Sequence, residues 1–320
     1  MKKNKIKDTG LEVTELSFGT SSLGSMPDTY GYEVSEDRAQ KTLNRFFQGP
    51  VNMLDTSRNY AMGESEKRIG KAIKENGGWP NGFLLSTKLD RNMDTLVLDK
   101  NRVRESLEES LKTLNVDSVD ILFLHDPEYA KDINDITKKG GAMDELFKIK
   151  NEGLAKAAGV AMGKVDIMFP LLKDWDFDVI INHNRYTLLN REANEMYDYA
   201  SSKNIAIFNA APYAGGVLAK GPSNFKKITY QDASEEKLAP AREIEKVCKK
   251  YNVEMGAAAL QFSMKDKRIT STICGVTSIQ SIEKNLAWAN TIIPDEFWNE
   301  VLKLPYSTKD PESERNFTPG

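Results

Sequence analysis

Short apolar runs alternate with longer amphipathic stretches along the whole chain. Residues 14–18, 51–55, 83–88, 119–124, 155–160, 179–182, 206–209 and 270–274 are compact apolar runs of strand length. After them come residues 36–48, 65–74, 101–114, 141–151, 165–172, 190–203, the pair 239–251 and 255–265, and 278–289, where apolar residues recur at helical spacing. In residues 101–114, for example, Val103, Leu107, Leu111 and Leu114 share one face. Gly153 is placed to end the fourth helix, because glycine tolerates positive φ.

Strict alternation of strand and helix predicts a parallel sheet with helical crossovers. Eight such units predict a closed (β/α)8 TIM barrel. An open doubly wound sheet is the competing arrangement, but its first strand–helix turn carries G-x-G-x-x-G. The turn here reads Gly19-Thr20-Ser21-Ser22-Leu23-Gly24. Residues 6–13 read as an N-terminal β-hairpin with Thr9-Gly10 in its turn, placed to cap the barrel floor. Long insertions, residues 126–139 and 212–234, follow the fourth and seventh strands. Loops at those positions lie on the C-terminal face, where barrel active sites form. The expected organisation is one barrel domain over residues 1–306 and a polar tail, 307–320, either disordered or folded over that face.

Composition narrows the function. The chain has 320 residues, 40% hydrophobic and 28% charged, as an ordinary globular protein has. A net charge of −3 and a pI near 5.7 argue against nucleic acid as a partner. No apolar run is long enough to span a bilayer and the first residues do not resemble a signal peptide, so a cytoplasmic protein is expected. Two cysteines cannot define a disulfide scaffold, and Cys274 reads as a small buried hydrophobe. With two histidines, two cysteines and no H-E-x-x-H, no metal is expected. Oligomeric state is not legible.

Four polar residues stand where a barrel concentrates chemistry. Asp55, Lys88 and His125 close the second, third and fourth strands, and Tyr60 lies five residues past Asp55. A tyrosine is a weak acid, with a pKa near ~10. An adjacent ammonium favours its phenolate, and a carboxylate keeps that ammonium charged and aimed. Such a tyrosine exchanges a proton with a carbonyl or hydroxyl oxygen, and a histidine beside it orients that oxygen. Singly, each residue is ordinary: a lone strand-end lysine or aspartate is solvated or ion-paired, and a lone histidine is a satisfied core residue. Their conjunction on three consecutive strands carries the functional reading.

Leu54-Asp55-Thr56-Ser57-Arg58-Asn59-Tyr60 followed by Gly63-Glu64-Ser65-Glu66, then Ser86-Thr87-Lys88, Leu124-His125, Gly159-Val160 and Glu283-Lys284-Asn285, resembles the aldo-keto reductase family in order and over nearly the whole chain. The resemblance implies Tyr60 as general acid or base, Lys88 and Asp55 tuning it, His125 orienting the substrate oxygen, and NAD or NADP across the barrel mouth. Ser65 reads as a helix N-cap, and Trp288 as a packing residue.

A narrower resemblance, to the aldose 1-dehydrogenase and pyridoxal 4-dehydrogenase branch, rests on His125-Asp126-Pro127-Glu128, Asn184-Arg185-Tyr186-Thr187-Leu188-Leu189 and Ala210-Ala211-Pro212-Tyr213. It implies oxidation of a small sugar at C1 to a lactone. A broad carbonyl reductase or a pyridoxal 4-dehydrogenase are alternatives. A non-catalytic nicotinamide-binding sensor or regulatory subunit is a third, against which the four residues speak.

Departures from the family pattern bear on the cofactor. Ala161-Met162 replaces Ser-Asn, and His183 replaces a glutamine, as a hydrogen-bonding or simply a packed residue. Ala210 replaces the aromatic that stacks on nicotinamide, leaving Tyr213 or Phe208 to serve. The backbone at Val276 and Thr277 and the start of the last helix would cradle phosphate or adenosine, with Asn285 on adenine. Gly275 and Ser281 stand where NADP-preferring members carry cations, which implies a preference for NAD.

Overall fold

The computed structural model describes residues 1–315. Its strands, in chain order, are β1 (Lys3–Lys5), β2 (Glu12–Thr14), β3 (Leu16–Gly19), β4 (Met53–Asp55), β5 (Leu84–Leu89), β6 (Val119–His125), β7 (Ala155–Met162), β8 (Val179–His183), β9 (Ala206–Ala210), β10 (Lys227–Ile228), β11 (Gln231–Asp232) and β12 (Ile269–Gly275). β3 to β9 pair in sequence, all parallel, and β12 pairs with both β9 and β3 to close an eight-stranded barrel. These are the eight expected strands, each shifted by at most two residues at an end.

The crossover helices follow the amphipathic stretches. Lys100–Leu114 starts where the Asp99 carboxylate accepts the Asn101 and Arg102 N–H groups, and stops at left-handed Asn115. Gly153, at φ 82°, follows Ala142–Asn151 as expected. The helix after β9 begins at Glu235 rather than 239, because the Ser234 hydroxyl caps it by accepting the Lys237 N–H. The helix after β8 begins at Asn194 rather than 190, because Asn190 is bridged to Ser307 of the tail. Asp295–Val301 is an additional helix that the periodicity did not reveal.

β1 and β2 form the N-terminal hairpin, with arms further out than residues 6–13 and Gly10 at φ 78° in the turn. Ile6, Leu11 and Val13 pack into one apolar cluster with the barrel interior, including Met53, Leu84, Ile121 and Phe123, and so plug the floor.

Side chains alternate across each strand. In β4 Met53 points in, Leu54 out and Asp55 in; in β6 Ile121, Phe123 and His125 point in. The uppermost inward positions of the eight strands are therefore Gly19, Asp55, Lys88, His125, Ala161, His183, Ala210 and Gly275, and all eight line one cavity at the C-terminal mouth.

Both insertions border that mouth. Residues 126–139 hold the turn Pro127–Tyr129 and the short helix Asn134–Thr137. Residues 212–234 hold the helix Val217–Lys220 and the β10–β11 hairpin. The described part of the tail forms a flap there. Asp310 accepts from the buried Arg185 guanidinium at 2.6 Å, and buried Glu312 accepts from the Asn184 amide at 2.6 Å. Residues 316–320 of the expected tail lie outside the described ones.

Candidate active site

Parallel register brings three strand ends together. Lys88 Nζ lies 2.7 Å from Asp55 Oδ2 on the neighbouring strand and 3.0 Å from the Tyr60 hydroxyl, and it donates to the Thr56 carbonyl at 2.7 Å. Asp55 also accepts the Ser86 hydroxyl. Tyr60 arrives by way of a tight loop: Ala61, Met62 and Gly63 all have positive φ and turn the chain directly into the helix Glu64–Glu75. The His125 ring meets the Tyr60 ring edge-on, with centroids 5.8 Å apart.

The helix after Tyr60 corrects one expectation. Its N-cap is Gly63, and Ser65 lies within the first turn. The Ser65 hydroxyl donates instead to the Thr20 carbonyl, tying this helix to the loop after β3. Glu66 is buried and accepts the Thr87 hydroxyl at 2.6 Å. Burial pushes the Glu66 carboxyl up to about 7.

The electrostatics correct a second. Burial, and after it the Asp55 carboxylate, push the Tyr60 phenol well above its usual range, where proximity to Lys88 alone was expected to lower it. The ammonium is bound to Asp55, and the phenol feels that carboxylate as well. Tyr60 therefore keeps its proton through the neutral range.

Asp90 is the residue sequence reasoning missed. Fully buried, it holds His125 Nδ1 at 2.5 Å through Oδ1, and through Oδ2 accepts the Ser57 hydroxyl at 2.6 Å and the Asn59 N–H at 3.1 Å. It thus anchors both His125 and the loop leading to Tyr60. Burial opposes charging the His125 ring, but the carboxylates of Asp126 and Asp90 outweigh it and raise its pKa. Asp90, despite burial, is held below its ordinary value by His125 and the Ser57 hydroxyl. The signal was available: Asp90 is two residues beyond Lys88, on the same side of an extended chain.

The cavity measures about 700 Å³, within the ~300–1,000 Å³ usual for small-molecule and cofactor sites. One end holds Tyr60 and His125; the other reaches the start of the helix Ile279–Asn290, where Ser278 and Ser281 form a capping box. Of the residues expected to meet a cofactor, His183, Ala210, Tyr213, Gly275, Thr277, Ser281 and Asn285 line it. Val276 does not: its side chain is buried in the core and its N–H is donated to the Gly19 carbonyl, because it continues the pairing of β12 with β3. Phe208 is likewise inside the barrel, so of the two aromatics expected to serve, Tyr213 is the one at the wall. The Tyr213 hydroxyl lies 2.5 Å from Asn285 Oδ1, and the Asn285 amide donates to the Ser281 carbonyl, so both ends of Asn285 are engaged within the protein. His183 Nε2 is 3.9 Å from Glu312 of the flap. Trp288, taken for packing, reaches the wall beside Tyr213. Arg38 also lines it, donating to the Thr277 carbonyl at 2.7 Å.

Cys248 and Cys274 are buried and unpaired. Among the described residues no helix is long and apolar enough to cross a membrane.

Comparison with known proteins identifies the family and agrees with the fold. The model of the aldo/keto reductase family matches residues 15–304. L-galactose dehydrogenase of Arabidopsis thaliana is 31% identical over 284 residues, covering 88% of this chain and 85% of that protein. Pyridoxal 4-dehydrogenase of Microbacterium luteolum is 26% identical, covering 93% and 96%, and D-threo-aldose 1-dehydrogenase of a Pseudomonas species 27% identical, covering 92% and 94%. An aldo-keto reductase of Bacillus halodurans, solved in its holo form, shares the fold with a TM-score of 0.78 at 21% identity, over 99% of this chain and all of that one. The chain belongs to the aldo/keto reductase family and is an NAD(P)-dependent oxidoreductase.

Proposed function

We propose that this protein oxidises an aldose at C1 to the lactone. Tyr60 takes the proton of the anomeric hydroxyl, Lys88 and Asp55 hold the phenol in place, and His125 Nε2 orients the reacting oxygen. The observation that carries the reading is the unbroken contact from Asp55 through Lys88 to Tyr60, 2.7 Å and 3.0 Å, facing His125 at one end of a cofactor-sized cavity. The similarity to L-galactose and D-threo-aldose dehydrogenases favours a sugar as substrate.

The residues present fit a nicotinamide dinucleotide. A Cβ built on Gly275 would enter open space, with Ser22 Oγ the nearest atom at 4.0 Å, so the wall is hollow where a ligand backbone would pass. The helix starting at Ile279 offers its N-terminus to a pyrophosphate. Bound there, the nicotinamide would accept the hydride that leaves C1. Tyr60 holds the proton exchanged at the oxygen. His125, its Nδ1 fixed by Asp90, presents Nε2, and the flap from Asp310 to Glu312 is anchored on Arg185 and Asn184.

NAD is the preferred form in this reading, since neither Gly275 nor Ser281 supplies a cation. One observation favours NADP: Arg38 and Lys284 line the same end of the cavity. Arg38 already donates to Thr277, and Lys284 lies over the Trp288 ring at 4.6 Å, so both have occupations other than a 2′-phosphate.

The test is reduced-nicotinamide absorbance with L-fucose, D-arabinose or pyridoxal, and with NAD or NADP. Sugar-dependent reduction of NAD, lowered ~10²–10⁴-fold in Tyr60→Phe, is expected. Oxidation of pyridoxal alone, or reduction of simple aldehydes with no sugar oxidation, would replace the aldose reading. Equal affinity for NAD and NADP, lost for NADP in Arg38→Ala, would overturn the cofactor preference.

A further inference from the structure

Asp126 directly follows His125, and neighbours on a strand point to opposite sides. Since His125 faces the cavity, extended backbone would turn Asp126 outward to the helices. Instead Asp126 adopts left-handed backbone, φ 45° and ψ 49°, and its side chain lines the cavity as well. Aspartate tolerates this region better than most residues, but a following proline favours extended backbone at the residue before it. The conformation is held by the Asp126 N–H on the Ala161 carbonyl, 2.9 Å, and by the Tyr129 N–H on the Asp126 carbonyl, 3.0 Å. Backbone conformations of this kind collect at binding sites.

The carboxylate so placed is incomplete. Its Oδ1 is buried and meets no hydrogen-bond donor among the described residues. His125 Nε2 is 3.7 Å from it, beyond hydrogen-bond range. Among the described residues four buried carboxylate oxygens, of Glu66, Asp126, Glu128 and Glu192, meet no donor, and of these only that of Asp126 belongs to a side chain lining the cavity, which points to a ligand that supplies one. An ionised carboxylate only accepts, so the missing group is a donor. His125 Nε2 and Asp126 Oδ1 are close enough to meet the two vicinal oxygens of a single small substrate. The cavity also carries Arg91 and Arg315, lying over the rings of Tyr129 and Tyr230, so it is not uniformly negative; the carboxylate beside Nε2 is local.

We propose that Asp126 selects the substrate: Oδ1 accepts a hydrogen bond from a hydroxyl on the carbon next to the reacting one. The site then takes α-hydroxy carbonyls and their cyclic sugar forms, and turns away compounds with an apolar or an anionic group at that carbon. The natural substrate rests on the aldose reading; the recognition step does not.

Three small aldehydes differing at that one position test it in the reducing direction: glycolaldehyde, acetaldehyde and glyoxylate. kcat/KM is measured for the parent, Asp126→Ala and Asp126→Asn, with thermal melts to establish folding; asparagine keeps the shape and suits the backbone. The parent is expected to favour glycolaldehyde over acetaldehyde by about 10²-fold, with glyoxylate poorest. Asp126→Ala should cut the hydroxyl preference by about tenfold or more, and Asp126→Asn should raise glyoxylate relative to acetaldehyde by a similar factor. A preference unchanged in both variants, or an equal fall for all three aldehydes, overturns the proposal. If no aldose is oxidised yet the preference responds as expected, the aldose reading fails and the role of Asp126 stands; aldose oxidation with an unresponsive preference means the reverse.

Discussion

His125 Nδ1 and Asp90 Oδ1 lie 2.5 Å apart, the carboxylate fully buried and the imidazole lining the cavity. The carboxylate accepts a hydrogen bond from Nδ1–H and leaves Nε2 facing the substrate oxygen. Asp90→Asn removes the charge that selects this tautomer. It should lower kcat/KM by roughly 10²-fold or more while leaving the fold intact. Because Asp90 helps hold the His125 pKa up, the imidazole should also titrate at a lower pH in the variant, as read by proton NMR of the ring. An unchanged titration would remove Asp90 from this role.

Burial and the Asp55 carboxylate raise the Tyr60 pKa, and this sets a direction for pH dependence. Oxidation needs Tyr60 as a proton acceptor, so kcat for oxidation should climb as pH rises above neutrality. Reduction needs the proton in place and should hold steady over the same range. Rates in both directions between pH 6 and about 10 decide this. An oxidation rate already flat at pH 7 would contradict it.

The flap is predicted to loosen in acid. Burial alone would raise the Glu312 pKa, but His183 and Arg185 pull it down to about 2. A depressed folded-state pKa gives stability that is present above the unfolded value of 4.5 and lost as pH falls toward 2. The shift corresponds to about 3 kcal/mol. Denaturant titrations at pH 7, 4 and 3 should show this loss, and Glu312→Gln should be less stable at pH 7 with a flatter acid profile.

Glu66 should behave in the opposite sense. Its pKa is raised from 4.5 to about 7, so the stability tied to its proton is complete below 4.5 and is lost as pH rises through 7. Glu66→Gln keeps an acceptor for the Thr87 hydroxyl without the charge. It should match the parent at pH 4 and exceed it at pH 8 by a few kcal/mol, visible as a Tm difference that opens as pH rises.

Gly159, facing into the barrel on β7, leaves no room for a methyl group. A Cβ there would sit 1.9 Å from the Val179 carbonyl oxygen and 2.9 Å from the Phe123 ring. Gly159→Ala should destabilise the barrel by about 3 kcal/mol or more. Wild-type-like thermal stability in that variant would show that β7 and β8 can move apart.

The barrel and the contact from Asp55 through Lys88 to Tyr60 were legible because both follow from local periodicity. Apolar runs mark the strands, and a polar residue closing a run marks an inward position at the mouth. Asp90 was not read because it follows its strand's last expected residue, and its partners Ser57 and Asn59 come from a loop some thirty positions earlier. Val276 was misplaced because the pairing of β12 with β3 reaches one residue further than the apolar run suggests. A tail folded over the mouth was one of two readings, and the contacts that anchor it were illegible for a related reason. Arg185 meets Asp310 and Glu312 across more than a hundred residues, and nothing in a polar tail declares that its carboxylates will be buried.

Closure of the barrel also has a timing. Leu16, in the first barrel strand, finds its partner Thr272 only in the last, roughly 250 residues later, or some 10–50 s of synthesis at ~5–20 residues per second. Until then β3 and β9 both expose an unpaired edge, the sort of surface that recruits other chains. The barrel therefore cannot close until the last strand has been made. Its vulnerability to aggregation should lie in that interval rather than in the finished enzyme.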